Sequence, residues 1–189
     1  MNLEKLKTLE DLKILQAQLS KDITTSIRAE KSRALNKAKA DFSSFFIPKG
    51  FQIIDHGTGL TANYGQQNVT ISIPPVETSF LGAYSVIDLI LTGRVRKNYT
   101  IVLNELGSKS GISSRVRLLP NNEEERLDLE IEDAKEEVED LKKRKDNISR
   151  FKLGFRVFDK DEAQRNPYVK TADTKQFSDI SELLASIFA

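Results

Sequence analysis

The chain has 189 residues, 39% hydrophobic and 30% charged, which fits a folded protein of one domain, or one domain with an appendage, and excludes a disordered or fibrous chain. Lys and Arg number 29 against 28 Asp and Glu, so attraction to any polyanion has to come from a local patch rather than from the net charge of +1. With no cysteine and a single histidine, His56, disulfides, thiolate metal sites, Cys nucleophiles and every site needing two imidazoles are excluded.

The start, Met1-Asn2-Leu3-Glu4-Lys5-Leu6, lacks the unbroken apolar core of a secretory signal, and no stretch approaches the ~20 apolar residues of a membrane span. A cytoplasmic protein without a membrane partner is expected. Residues 1–47 contain neither Gly nor Pro, and Pro48-Lys49-Gly50 then supplies a helix stop. Leu12, Leu15, Leu19, Ile23, Ile27, Leu35, Ala38 and Phe42 recur at helical steps, and Thr8 with Asp11 resembles a capping box. A helix from Thr8 to Phe46 would be roughly 58 Å long, against about 40 Å for a compact chain of this size. It must therefore project or break, and the weakest point is Asp22-Ile23-Thr24-Thr25-Ser26.

From Phe51 onwards the period falls to two. Phe51, Ile53 and Asp55, then Leu60, Ala62 and Tyr64, then Val69, Ile71 and Ile73 alternate with polar neighbours, an antiparallel meander that Pro74-Pro75 ends. Tyr84 to Leu91 and Tyr99 to Leu106 carry apolar residues on both faces, the pattern of central strands covered on two sides. A helix follows over about 122–149, in which Leu127, Ile131, Ala134, Val138, Leu141, Lys145 and Ile148 are spaced as heptads with one lysine in the seam. Phe151 to Phe158 reads as a strand. An amphipathic helix from about Ser178 closes the chain, its apolar side free either to cover the sheet or to dock in a partner's groove.

The expected fold is α+β: an antiparallel sheet of five to six strands, with the long first helix and the heptad helix forming a coiled-coil-like bundle. Four segments result: 1–47, the long helix; 48–120, the sheet; 121–150, the heptad helix paired with the first; and 151–189, the final strand and terminal helix completing the sheet domain. The expected helix interface is Leu12, Leu15, Leu19, Ile23 and Ile27 with Leu127, Ile131, Ala134, Val138, Leu141 and Ile148.

Local charge says more than the total. Residues 121–140 hold eleven acids against Arg126 and Lys135, a net of −9, whereas 141–150 carry +4. That order complements the helix dipole. It also suits pairing with residues 21–39 of the first helix, which carry +4, within one chain or across a dimer. A second basic region, 93–117, contains Arg94, Arg96, Lys97, Lys109, Arg115 and Arg117 against Glu105, with Tyr99 beside it. Such a hairpin could follow a phosphate backbone, with the ring as a stacking surface; alternatively it is a solvated tip whose arginines deter edge pairing.

Catalytic signals are few. Asp55-His56-Gly57-Thr58-Gly59 puts an acid beside a base, but adjacent side chains of a strand point to opposite faces, so a hairpin turn is the expectation. Asp159-Lys160-Asp161-Glu162 clusters oxygens without the glycine and distal glutamate of a calcium loop, and Asp88 with Glu105 would be a weak metal-binding pair. No catalytic set, cofactor or metal is expected. The sequence points to a non-catalytic adaptor or assembly protein that forms homo-oligomers, a dimer foremost, through its helices, with an unidentified protein partner. The alternative is a sequence-nonspecific nucleic-acid-binding protein using residues 94–117.

Overall fold

The computed structural model describes residues 2–106, 122–160 and 175–188. The order of elements is α1 (Leu3–Phe46), β1 (Gln52–Asp55), β2 (Gly59–Tyr64), β3 (Gln67–Ser72), β4 (Ser85–Thr92), β5 (Lys97–Glu105), α2 (Glu123–Asp146), β6 (Leu153–Asp159), β7 (Gln176–Phe177) and α3 (Ile180–Ile187), an α+β protein. The strands form one antiparallel sheet in sequence order, β1 to β7. There are seven among the described residues, not five to six. The strand missed from sequence, β7, is two residues long and too short to show alternation; it is set by pairing Phe177 with Phe155 and Gln176 with Arg156.

α1 does not break. It runs for 44 residues, about 66 Å at 1.5 Å per residue. Its cap is Asn2, whose Oδ1 accepts from the N–H groups of Glu4 and Lys5, and not Thr8, whose hydroxyl donates to the Glu4 carbonyl one turn back. The suspected weak point holds because Thr25 and Ser26 donate in the same way to Lys21 and Asp22, which satisfies the hydroxyls without opening the helix. The stop is at Gly50, whose φ of 83° only glycine adopts freely and whose N–H closes onto the Ile47 carbonyl.

The chain forms two compact units, residues 1–28 with 111–151 and residues 29–110 with 152–189, and the division runs through α1. In the second unit one face of the sheet is buried. Cross-strand register places Leu60, Ile71, Leu89 and Tyr99 in one row and Ile87 and Ile101 in the next. Side chains directly opposite share a face, so these rows form one apolar surface. On the other face of the central strands, Val86, Asp88, Ile90 and Val102 are only half-buried, so the double cover expected for β4 and β5 is realised fully on one side. At Gly59 a Cβ would run into the Ile71 carbonyl, so the β2–β3 approach requires glycine there.

Apolar side chains of the helices complete this core. Leu35, Ala38, Phe42 and Phe46 of α1 and Ile180, Leu183 and Leu184 of α3 are all buried. α3 lies against β6 and β7, so its apolar side covers its own sheet. Phe45 and Phe46 meet Phe188 at centroid distances of 6.0 and 5.6 Å, and Phe46 meets Phe51 at 5.1 Å. Lys39 donates to the Gly57 carbonyl and Lys31, although buried, to the Thr78 carbonyl, tying α1 to two loops of the sheet. Phe42 is fully buried. Phe42→Ala should therefore cost about 3–5 kcal/mol in denaturant unfolding; a loss below 1 kcal/mol would contradict this placement.

Candidate functional site

The first unit is built on the pairing of α1 with α2. Lys5 bonds both oxygens of Asp128 at 2.6 and 2.8 Å and Glu124 at 3.4 Å. Gln16 donates to the Ala134 carbonyl at 3.3 Å and to Glu137 at 3.0 Å, and Lys145 reaches Asp22 at 2.6 Å. The partner's number rises with that of α1, so the two helices run parallel, and they pair within one chain.

Their seam is a heptad seam, with one correction. Leu9, Leu19 and Ile23 of α1 are buried, Leu12 and Gln16 are half-buried, and the spacing is three, four, three, four. Leu15, expected in the interface, is 36% exposed, because Gln16 occupies the position facing α2 and Leu15 lies about 100° round the helix from it. Leu9 was missed by the sequence reading; stepping back three from Leu12 would have found it. From α2, Ile131, Ala134 and Val138 are buried, and Leu127 and Leu141 are half-buried. Leu9, Ile131 and Ala134 form one cluster with Leu12 and Leu127 packed on it. Ile27 and Ile148 are half-buried at the far end. Lys145 stays exposed: its ammonium leaves the seam for Asp22.

The charge layout differs from expectation. The start of the basic stretch does not face the acidic stretch of α2, because the parallel register puts Asp22 opposite Lys145. The acids of 122–140 instead run beside residues 2–19, where Lys5, Lys7 and Lys13 balance Glu4, Glu10 and Asp11. Within α2 the order complements the dipole, with Glu123, Glu124 and Glu125 in the first turn, Lys143, Arg144 and Lys145 in the last, and Asn122 capping the Glu124 N–H. The hydrogen bond that Lys5 donates to the Asp128 carboxylate, with the charge of that carboxylate, raises the Lys5 pKa above its ordinary value. The hydrogen bond from Lys145 holds the Asp22 carboxyl below its own.

The remaining sequence candidates fall elsewhere. His56 Nε2 lies 3.0 Å from the Thr61 hydroxyl, and Asp55 accepts from the Gly57 N–H at 2.6 Å, so Asp55 shapes the turn and does not orient the imidazole. Asp88 pairs with Lys160 at 2.8 Å. Asp88 stands opposite Thr100, and Glu105 is five residues further along β5, about 17 Å at strand rise, so the two carboxylates do not meet. Among the described residues no group of three or more His, Asp or Glu could hold a metal ion. Asp161 and Glu162 lie outside the described residues.

In the basic region Arg94, Arg96 and Lys97 are exposed on the β4–β5 turn. Tyr99 is not a stacking surface: it is 8% exposed, on the buried face opposite Leu89, with the Lys97 ammonium 6.0 Å from its ring centre. Lys109, Arg115 and Arg117 lie outside the described residues. Among these no helix is long and apolar enough to cross a membrane. No protein-family model, curated protein or solved structure matches the chain.

The depressed pKa of Asp22 gives the helix pair an acid sensitivity of definite sign. The ion pair with Lys145 contributes stability above the ordinary carboxylate value of 3.8, and that contribution is lost as pH falls through the lower folded-state value. Carbon-detected NMR titration should show Asp22 titrating below 3.8, and Lys145→Met should return it towards that value; an unmoved titration would mean that the bond does not persist in solution.

Proposed function

We propose that this protein is a non-catalytic adaptor or assembly factor of the cytoplasm that acts as a homodimer through its α1–α2 unit and presents the sheet unit to a protein partner. The observation that carries this reading is the apolar surface the helix pair leaves uncovered. Among the described residues, Ile14 is 61% and Leu15 36% exposed on adjoining positions of α1, outside the seam. Two helices can bury one stripe each; a third or fourth is needed to cover the flanks. A second copy of the same unit supplies two.

Further support comes from Gln16. A polar residue in a seam lowers stability and selects register, and here it fixes α1 against Ala134 and Glu137. The non-catalytic part rests on how the reactive groups are engaged: His56 with Thr61, Asp55 with a turn N–H and Asp88 with Lys160. Light scattering should give twice the 21.3 kDa chain mass, and Ile14→Glu with Leu15→Glu should return it to one chain mass at unchanged far-UV dichroism. A parent protein of single-chain mass at tens of micromolar would overturn the dimer.

A further inference from the structure

The β4–β5 turn carries Arg94, Val95, Arg96 and Lys97 in succession, all exposed. Arginines at a strand end commonly deter edge-to-edge pairing. That role has no object here, since β4 and β5 are the fourth and fifth strands of seven and both their edges are paired. Neither Arg94 nor Arg96 has an ion-pair partner among the described residues. Two arginines and a lysine thus stand exposed within four residues of one another, in a chain whose total charge is only +1.

The antiparallel register brings a second feature to the same end of the sheet. The β2–β3 turn follows Tyr64, which pairs with Gln67, and the next pair across, Asn68 with Thr92, puts this turn beside the β4–β5 turn. The two approach so closely that a Cβ at Gly93, whose φ is 140°, would strike the Gln67 side chain. Tyr64 is 58% exposed, and its ring packs on Phe51 at a centroid distance of 5.3 Å and a tilt of 38°, so the ring is braced while much of it meets solvent. It stands two strand spacings, about 10 Å, from the β4 end. Tyr99 cannot serve as the aromatic partner of the basic turn, but the fold supplies another from a different hairpin.

We propose that this end of the sheet binds single-stranded nucleic acid, with Arg94, Arg96 and Lys97 on phosphates and Tyr64 stacking on a base. The chemistry matches on both counts: cations that neutralise phosphates release counterions, and an exposed ring accepts any base of a strand whose bases are unpaired. The site lies wholly within the sheet unit and does not depend on whether the chain dimerises.

Fluorescence anisotropy of labelled oligo-dT and oligo-U with the full chain tests the proposal, with a duplex of equal length as the third arm. Saturable binding is expected for the single strands, weaker for the duplex, with log K falling against log salt at a slope of about −2 for three phosphate contacts. Arg94→Glu with Arg96→Glu should abolish it. Tyr64→Ala should weaken it about 5- to 150-fold, with Tyr64→Phe restoring it, since stacking needs the ring and not the hydroxyl. Preference between oligo-dT and oligo-U would assign the strand chemistry. Equal affinity of the parent and the arginine double variant, a duplex bound as tightly as the single strands, or no saturable binding to either strand at low salt would each overturn the proposal.

Discussion

A single helix, α1, has to bury one side against two different partners, and the rest of the structure depends on how it does so. From Leu9 to Ile23 the buried or half-buried positions step by three and four, averaging 3.5 residues, the spacing that keeps a stripe facing another helix. From Ile27 through Lys31, Leu35, Ala38 and Phe42 to Phe46 the mean step is about 3.8, wider than the 3.6 of a straight helix. The stripe therefore drifts one way around α1 in the first stretch and the other way in the second. This change of period falls where the chain divides into its two units, at Arg28 and Ala29.

Periodicity made much of this legible in the sequence. Both long helices, six of the seven strands among the described residues and the antiparallel order follow from runs of clear spacing, and Ile131, Ala134 and Val138 of the α2 heptads are buried. What failed was information that spacing does not carry. Leu15 and Gln16 are neighbours, and hydrophobicity favours Leu15; only the register against α2 shows that the amide faces inward. β7 has two residues and exists because β6 offers an edge. Tyr99 looked available because it follows a basic turn, yet its parity within β5 sends it to the buried face, while the exposed ring at that end, Tyr64, is 35 positions away in sequence.

Charge was legible as an order but not as a pairing. The acidic stretch of α2 and the basic stretch of α1 are complementary as sums, and an antiparallel pair would have set them face to face. The parallel arrangement gives that up. It gains a position at each end where a lysine meets a carboxylate, Lys5 with Asp128 and Lys145 with Asp22, and a seam between them that buries leucine, isoleucine and valine. Surface ion pairs contribute a fraction of a kcal/mol at most, whereas burying such a side chain is worth roughly 1.5–3 kcal/mol, so the apolar register decides and the charges adapt to it. Parallel dipoles also add, and the three glutamates in the first turn of α2 offset the positive end that results.

Parallel helices cannot be joined by a short turn, and this sets the topology of the whole chain. α1 ends at Phe46 and α2 begins at Glu123, and the five strands β1 to β5 lie between them in sequence. Lys5 and Asp128 are 123 residues apart in sequence. Closing such a loop in a disordered chain costs entropy that a few seam residues do not readily offset, whereas the meander forms from neighbouring strands with short connections. The order this implies is sheet first, seam second.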